Sequence, residues 1–523
     1  MDRKSIEQLI IEYPQAAVGY IELGDYLADI NPQQAYLCYE NAYFYSTDVA
    51  EKKNLSEKIQ AIINSGKSVP KAAIIILGYN LKEDIRINIE SIRSTTPESA
   101  REIIVVDNAS VDDSVEYLSK QTDVILQANT ENAGFPKGCN QGIALADDES
   151  DIFLLNNDTI MMPNTLFWLR MGLYENEKVG AVGCVTNNIL GEQKICEAGL
   201  EREWYEEYSK TINIPIEEPL KYVSLIVGFA FLVKRGVLNE IGLLDEIYTP
   251  GNYEDNDYCL RIWGSGYRTA IVRNSFLVHV GGKSFGKRPD YVELLCRNKK
   301  KLESKFSIYD TDEVMHPDKM LTELMNSFSG ISEEADVLEI NYDLGTFVTD
   351  LKYKHPKFTV EGISTSETSK KYGLFTEKVS LKICDDKHSY DAVLGDKKYD
   401  VIIVKIHPDD DMGIKFYCEL IRKHIKSEGK IALVLDNCSH YSYWMPLLTG
   451  EKTIKTVCKN AVTVREVIDA MEGWKTITGW YFAYKTDAEN NDSETRQKVV
   501  ELLVNRGRLE RELLVDTYYI GIE

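Results

Sequence analysis

The sequence predicts a protein of the α/β class, in which two α/β domains follow a small helical region. From residue 71 onward, short apolar runs alternate with segments of helical periodicity, the pattern of strands joined by crossover helices. Polar residues follow each apolar run, so a parallel sheet would collect them at one edge. A second series of the same kind begins at Asp336. We expect a helical region at 1–68, α/β domains at 71–308 and 335–523, and a linker at 309–334.

Composition and charge indicate which binding partners and which cellular location to expect. A hydrophobic content of 44% and a charged content of 27% are typical of a globular protein, and the net charge of -23 disfavours nucleic acid as a partner. The cysteines form no CxxC pair, which favours free thiols in a reducing compartment. No apolar run approaches the roughly 20 residues of a membrane helix, and no signal peptide opens the chain. We therefore expect a cytoplasmic protein without a transmembrane segment.

The amino-terminal region is predicted to be a helical hairpin. Apolar residues recur at helical spacing from residue 5 to about 66, and Asn31-Pro32 marks a break between helices. The segment Leu23-Gly24-Asp25-Tyr26, followed by Ala35, Tyr39 and Ala42, resembles one tetratricopeptide-type unit. One such unit cannot bury its own apolar face, so it must pack on the next domain or on a partner chain. A homo-oligomer is therefore one of the open alternatives. The alternative is a capping hairpin with no binding role.

Four buried strands open the first α/β domain. They are expected at residues 72–77, 102–106, 124–127 and 152–155, with helices at 81–93 and 111–120. Residues 190–222 are polar and aromatic, which predicts an insertion or flexible flap. Apolar segments return at 223–233 and 267–272, and a helix at 291–306 closes the domain.

The polar segments at the strand ends occur in an order that resembles the GT-A glycosyltransferases of family 2, above all the bacterial rhamnosyltransferase-like members. The resemblance covers residues 71 to about 290 and implies a Rossmann-like mixed sheet. It also implies inverting transfer of a sugar from a UDP- or dTDP-sugar to a hydroxyl of a surface glycan or protein. A dinucleotide enzyme is disfavoured because GxGxxG is absent after the first strand. The matching segments are Gly78-Tyr79-Asn80, Asp107-Asn108-Ala109-Ser110, Asn132-Ala133-Gly134-Phe135, Asn156-Asn157-Asp158, Tyr253-Glu254-Asp255 with Leu260-Arg261, and His279.

Sugar transfer leaves negative charge on a diphosphate, which a divalent cation neutralises. A cation that prefers oxygen needs a carboxylate, so we expect Asp158 to bind Mn²⁺ or Mg²⁺, with Asn157 beside it at the donor. Asp158 stands in the family's DxD motif, whose first acidic position is Asn156 here. The resemblance implies His279 as a second ligand, and its imidazole suits Mn²⁺ better than Mg²⁺. The alternative for His279 is a core histidine.

Inverting transfer also needs a base that takes the proton of the acceptor hydroxyl. Asp255 matches the family's base, and Glu254 is the second candidate. Glu254 would raise the pKa of Asp255 by like-charge repulsion if both face one site. Alternatively, Glu254, Asp255 and Asp257 stabilise the first turn of a helix, and both interpretations can hold. Arg261 is expected to pair with a carboxylate or a phosphate.

The resemblance places the nucleobase and ribose over the first strand ends. Tyr79, Asn80, Asp107 and Asn108 lie there, where acidic or amide groups can take the edge of uracil or thymine. Gly134 would allow the backbone to approach the nucleotide.

Residues 336–523 resemble a class I methyltransferase that uses S-adenosylmethionine. Strands are expected at 337–340, 359–363, 381–384, 401–404, 430–435, 480–484 and 517–520, and a charged helix at 493–513. The matching pieces are Val337-Leu338-Glu339-Ile340, Gly345, Glu361, Asp385-Asp386 and Ser427-Glu428-Gly429-Lys430. Glu361 is expected to take ribose hydroxyls.

The glycine loop of this second domain departs from the family, because Asn341 and Asp343 stand where glycines allow close approach of the cofactor. Two alternatives to a simple glycosyltransferase therefore stay open. One is a bifunctional enzyme that adds a sugar and methylates it, and the other is a non-catalytic scaffold with two degenerate domains.

Overall fold

The computed structural model describes residues 1–189, 191–281, 289–308, 311–406, 412–436, 477–483 and 517–522. The chain divides into two compact units, Met1–Leu302 and Glu303–Glu523. Within the described residues, no helix combines the length and the apolar character needed to cross a bilayer.

The unit Met1–Leu302 contains the helical region and a mixed sheet. Its helices are α1 Arg3–Glu12, α2 Ala17–Leu27, α3 Pro32–Tyr45, α4 Val49–Asn64, α5 Lys82–Thr95, α6 Ser114–Leu118, α7 Phe135–Ile143, α8 Thr165–Leu173, α9 Arg202–Ile212, α10 Arg235–Ile241, α11 Glu254–Gly264 and α12 Tyr291–Phe306, which runs on into the next unit. Its strands are β1 Ala72–Gly78, β2 Arg101–Asp107, β3 Val124–Ala128, β4 Asp151–Asn156, β5 Thr159–Ile160, β6 Val179–Val185, β7 Leu220–Tyr222, β8 Ala230–Val233, β9 Arg268–Phe276 and β10 Val278–His279.

The larger sheet has the strand order β3-β2-β1-β4-β8-β6-β9-β7. Its first four strands are parallel, as the sequence predicts, while β8 runs antiparallel to β4 and β6. Gly78 lies opposite Asp107 and Leu77 opposite Asn156, so the carboxyl ends of these strands align. Strand β1 is buried on both faces, because Ile74 and Ile75 lie in two different apolar clusters. The predicted polar edge is therefore present.

Two segments differ from the expectation. Strand β6 was not expected from the sequence, because its Val-Gly-Ala-Val-Gly-Cys-Val run is interrupted by glycines that disfavour a strand. Gly183 is required there, because a Cβ would lie 2.2 Å from Cγ2 of Ile226. The segment predicted as an insertion or flap, residues 190–222, contains α9 and β7.

The helical region packs on α8, and this contact covers its apolar face. Helices α2 and α3 form the expected hairpin, in which Gly24 lies so close to the Tyr39 ring that a Cβ would come within 2.5 Å. Arg170 of α8 forms a buried ion pair with Glu40 of α3 at 2.5 Å and donates to the carbonyl of Pro70 at 2.8 Å. The helices are thus part of the same unit as the sheet, and the tetratricopeptide likeness stays a prediction.

The unit Glu303–Glu523 is a second α/β arrangement. Its helices are α13 Thr311–Met315, α14 Lys319–Ser327, α15 Thr346–Lys354, α16 Glu367–Tyr372, α17 Tyr390–Leu394 and α18 Gly413–His424, and its strands are β11 Asp336–Ile340, β12 Thr359–Ser364, β13 Ser380–Ile383, β14 Tyr399–Ile406, β15 Ile425–Asp436, β16 Ile477–Ala483 and β17 Thr517–Ile522. The strand order is β13-β12-β11-β14-β15-β17-β16, with β17 antiparallel to both neighbours. The predicted strands are present, whereas the helix predicted at 493–513 lies outside the described residues.

Candidate active site

Asp158 and His279 face each other at the carboxyl edge of the larger sheet. Asp158 lies in the turn between β4 and β5, and β5 pairs with β10 so that Thr159 lies opposite His279. The carboxylate is also held by the backbone, since Gly281 N donates to Oδ2 at 3.1 Å. His279 Nε2 lies 3.4 Å from Asp158 Oδ1, and both side chains are buried. The structure thus brings together the two predicted metal ligands.

The hydrogen bonding of His279 fixes its tautomer. Nδ1 lies 2.7 Å from the carbonyl oxygen of Asn188, which can only accept, so Nδ1 carries the proton. Nε2 is the ring nitrogen that faces Asp158. The ring also stacks on Phe229, with centroids 5.1 Å apart and planes 19° from parallel. An imidazole held this way is ready to bind a cation.

The Asp158 carboxyl is ionised despite its burial. Burial opposes ionisation, but hydrogen bonding to His279, its charge and the Gly281 N–H outweigh that effect and lower the pKa of Asp158 below its ordinary value. Within the described residues, no group of three or more His, Cys, Asp or Glu side chains could hold a metal ion. A cation bound here would take its remaining ligands from phosphate and water.

Asp255, the predicted base, lies beside the same region. Its Oδ2 accepts a hydrogen bond from Gly228 N at 2.9 Å, and Oδ1 accepts one from Asn256 N at 2.9 Å. Gly228 precedes Phe229, the residue that stacks on His279, so one short loop connects the base with the metal pair. Burial raises the pKa of Asp255, although the two backbone donors oppose the shift.

Glu254, the second candidate, points into the interior at the start of α11. Its side chain is buried, and its Oε2 atom has no hydrogen-bond partner. Burial first, and then the neighbouring charge of Asp255, raise the pKa of Glu254 well above its ordinary value. Burial thus favours the neutral form of Glu254, and the half-buried Asp255 is the more accessible carboxyl of the two.

Arg261 pairs with a carboxylate, one of the two partners expected from the sequence. Its Nε donates to Asp257 at 2.7 Å, and its guanidinium also donates to the carbonyls of Ile241 and Leu243. Tyr248 OH donates to the other oxygen of Asp257 at 3.2 Å. Asp257 therefore anchors α11 and is not available as a base.

The ends of β1 and β2 present two groups suited to a nucleobase. Tyr79 is 43% exposed, and Asp107 lies buried at the adjacent strand end. Asp107 Oδ1 accepts from Ser110 N at 2.9 Å, while its Oδ2 is buried without a hydrogen-bond partner. Asn80 uses its Oδ1 to accept from Val111 N at 2.9 Å. The nucleotide contacts of Tyr79, Asn80 and Asp107 stay predictions.

Asn108 makes hydrogen bonds with both ends of its amide. Its Oδ1 accepts from Ala133 N at 2.8 Å and from Asn129 Nδ2 at 3.2 Å, and its Nδ2 donates to Asn132 Oδ1 at 2.9 Å and to the carbonyl of Gly134. These contacts use the full capacity of an amide. Asn108 therefore joins the loops after β2 and β3, and its contact with a nucleotide stays a prediction.

Gly134 is required by the protein itself. It has a φ of +82°, and a Cβ at this position would lie 3.0 Å from Pro250 Cα. The backbone that approaches Gly134 is thus the segment before α11. Contact between Gly134 and a nucleotide stays a prediction, as does that of the half-exposed Asn157.

In the unit Glu303–Glu523, two of the residues expected to bind S-adenosylmethionine contact other protein groups. Glu361 is the third residue of β12, not the last, and it forms an ion pair with Lys397 and accepts from Tyr399 OH at 2.9 Å. Its ribose contact stays a prediction. Gly345 is needed for packing, since a Cβ would lie 2.6 Å from Leu381 Cδ1.

The amide that replaces a loop glycine is also engaged. Asn341 donates to the carbonyl of Lys405 and to Tyr417 OH, both at 2.8 Å, and accepts from Tyr390 OH. Lys405 Nζ lies 3.0 Å from Glu339 Oε1 and 3.3 Å from Asp343 Oδ2. These residues do not fit the cofactor, and the methyltransferase likeness stays a prediction.

Sequence reasoning missed the side chains that hold the site in shape. Asn187 Oδ1 accepts from His279 N at 2.8 Å, and Gln193 Oε1 accepts from Val227 N at 2.8 Å, next to Gly228. Phe229 supports the imidazole by stacking. An amide or a phenylalanine far away in sequence carries no pattern that would mark it as a site residue.

Part of this chain matches a known protein family. Residues 73–242 match the family model described as glycosyl transferase family 2. No curated protein gives a significant match.

Three solved structures illustrate the similarity to known folds. A mannosyltransferase from Pyrobaculum calidifontis in complex with GDP-Man and Mn²⁺ is 21% identical, with a TM-score of 0.33 over 46% of this chain and 63% of that chain. GalNAc-T7 with UDP, GalNAc and Mn²⁺ is 15% identical, with a TM-score of 0.38 over 49% and 54%. TarS from S. aureus with UDP-GlcNAc is 14% identical, with a TM-score of 0.32 over 46% and 74%. The chain thus spans less than two thirds of the length of the first two.

Proposed function

We propose that residues 71–308 form a metal-dependent inverting glycosyltransferase. It moves a sugar from a UDP- or dTDP-sugar to a hydroxyl of a surface glycan or a protein, in the cytoplasm. The single observation that carries the proposal is the pairing of an ionised Asp158 with His279, whose Nε2 lies 3.4 Å from Oδ1 of Asp158 while its Nδ1 is held by the carbonyl of Asn188. The family match over residues 73–242 supports the same reaction class.

The donor set fits Mn²⁺, and Mg²⁺ less well. One carboxylate and one neutral imidazole, with no further acidic or thiol ligand nearby among the described residues, suit a borderline cation that binds nitrogen. Bound there, the cation would neutralise charge that develops on the departing diphosphate. Asp158 and His279 would hold it, and Asn188, through its carbonyl, keeps the imidazole in the ligating tautomer.

Asp255 takes the proton of the acceptor hydroxyl in this proposal. A base works best when its pKa lies near the working pH, and burial shifts the pKa of Asp255 in that direction. The N–H groups of Gly228 and Asn256 hold its two oxygens, so the carboxylate has a fixed position. Glu254 is buried at the start of α11, and burial, which raises its pKa, disfavours its charged form.

The nucleobase would stack on the exposed ring of Tyr79. Asp107 lies at the adjacent strand end, and its buried Oδ2, which has no hydrogen-bond partner, would accept a ring N–H if the strand end opens when the base binds. Uracil and thymine both carry such an N–H, so the proposal includes both UDP- and dTDP-sugars as donors.

The test compares two neighbouring carboxyl-to-amide changes, Asp255→Asn and Glu254→Gln. Donor hydrolysis is measured with Mn²⁺ over a panel of nucleotide sugars, with water in place of the acceptor, and donor binding is measured by calorimetry. We expect Asp255→Asn to lower turnover by about 10²–10⁴-fold while donor binding persists, the typical loss of a general base. Undiminished turnover in Asp255→Asn together with its loss in Glu254→Gln would assign the base to Glu254.

The same calorimetry separates this enzyme from a scaffold. A wild-type protein that gives no heat with UDP and dTDP, with and without Mn²⁺, would favour the non-catalytic scaffold. We propose no methyl transfer, because Glu361 and Asn341 of the second unit make ion pairs and hydrogen bonds with other protein groups.

A further inference from the structure

We propose that Asn187 is a positioning residue for the metal ligand His279, and that it couples this ligand to the connection between β6 and β7. The inference rests on the proposed function, because it concerns how the metal site is held. It adds a residue that lies outside the strand-end motifs and touches neither cation nor substrate.

Asn187 is 2% exposed and makes hydrogen bonds with both halves of its amide. Its Oδ1 accepts from His279 N at 2.8 Å and from Thr186 Oγ1 at 3.1 Å. The next residue, Asn188, accepts from His279 Nδ1 through its carbonyl at 2.7 Å, and its Nδ2 donates to the carbonyl of Val280. The two consecutive asparagines therefore hold the histidine by backbone and ring together.

The amide nitrogen of Asn187 contacts α9, the helix within the connection between β6 and β7. Nδ2 donates to Tyr205 OH at 3.0 Å, and Tyr205 lies on α9 and is 3% exposed. Tyr205 OH in turn donates to the carbonyl of Glu197 at 2.8 Å and accepts from Leu200 N at 3.2 Å. The phenol is thus fully used, and its only side-chain partner among these is Asn187.

This chain of contacts gives α9 a direct effect on the cation site. His279 can bind a cation only if its ring stays in the plane and tautomer that the asparagines impose. If Asn187 is replaced by alanine, the buried His279 N–H loses its acceptor, and Tyr205 OH loses the donor that Asn187 Nδ2 provides. The end of β10 can then shift. Changes to such outer partners of a metal ligand typically weaken metal binding by about 10–100-fold.

The experiment titrates Mn²⁺ alone into the full chain and follows free Mn²⁺ by electron paramagnetic resonance. We expect Asn187→Ala to raise the Kd for Mn²⁺ by about 10–100-fold. Tyr205→Phe removes only the hydroxyl, leaves Asn187 in contact with His279, and is expected to give a smaller rise. Thermal unfolding confirms that each variant is folded.

The matched control is Asn213→Ala. Asn213 is also 2% exposed, and its amide accepts from Phe276 N at 2.6 Å and donates to the carbonyl of Pro163 at 2.8 Å. It thus supports the end of β9 with similar hydrogen bonds but does not touch His279. We expect this variant to lose thermal stability and to keep the wild-type Kd for Mn²⁺.

Each outcome is decisive. Equal weakening by Asn187→Ala and Asn213→Ala would show a general loss of stability and overturn the inference. If Asn187→Ala fails to fold, Tyr205→Phe decides: an unchanged Kd contradicts the coupling to α9, and a raised Kd supports it. A wild-type chain that binds no Mn²⁺ would instead contradict the proposed function.

Discussion

Replacement of Glu40 by alanine is expected to destabilise the unit Met1–Leu302 strongly, although Glu40 belongs to the helical region outside the candidate site. Glu40 contacts Arg170 at 2.5 Å and accepts from Ser99 Oγ at 3.1 Å. The side chains of Glu40 and Arg170 are 6% and 3% exposed. In the variant the guanidinium would keep the carbonyl of Pro70 as its partner, while its buried Nε already has none.

The magnitude follows from this burial. Removal of one partner from a buried ion pair leaves an uncompensated charge and costs about 3–5 kcal/mol. The double variant Glu40→Leu/Arg170→Met removes both charges and keeps similar volume, so it is expected to recover most of that loss. Helix α8 packs against β6 and β9, two neighbouring strands of the larger sheet, so its anchoring matters for the whole unit.

Urea unfolding of the full chain measures the effect, and hydrogen exchange of α3 and α8 peptides assigns the transition to this unit. The control is Glu83→Ala, which breaks an exposed ion pair with Arg86 and is expected to leave the urea midpoint unchanged. A Glu40→Ala midpoint equal to that of the control would refute the reasoning. So would a double variant less stable than Glu40→Ala.

Three further predictions concern the two units. Turnover is expected to fall as the pH drops through the raised pKa of Asp255, because the base acts only when ionised; a pH profile that stays flat down to about pH 4 would contradict this. Phe229→Ala should raise the Kd for Mn²⁺ by removing the ring under His279, whereas Phe229→Tyr should not, as electron paramagnetic resonance can show. Glu361→Gln should destabilise Glu303–Glu523 at neutral pH. The pKa of Glu361 is lowered despite its burial, because Lys397 and Tyr399 bind the carboxylate, so its contribution is lost as the pH falls through that lowered pKa; unfolding midpoints of variant and wild type should converge there.

The strand ends could be predicted from sequence because buried parallel strands have a simple signature. Apolar runs such as 72–77 end in polar residues, and the aligned ends of parallel strands bring those residues to one edge. Asp158 follows β4 as this pattern predicts, whereas His279 reaches it through the antiparallel pairing of β10 with β5, and only the family resemblance implied that residue. The interruption of β6 by Gly180 and Gly183 hid that strand, because glycine weakens the strand pattern.

Hydrogen bonding could not be predicted in the same way. Asn108 and Asp107 are neighbours with similar polar character, yet the amide of Asn108 is consumed by two loops while one oxygen of Asp107 is left unpartnered. Glu361 lies only three residues before the end of β12, and at that position it forms an internal ion pair. Roles of this kind depend on which groups from distant segments are within 3 Å, information that periodicity does not carry.

The most direct test of the central claim is anomalous diffraction from crystals soaked with UDP and Mn²⁺. The account predicts one manganese peak within bonding distance of Asp158 and His279 Nε2, with the diphosphate completing its coordination. A manganese peak elsewhere, or a diphosphate bound away from Asp158, would contradict it.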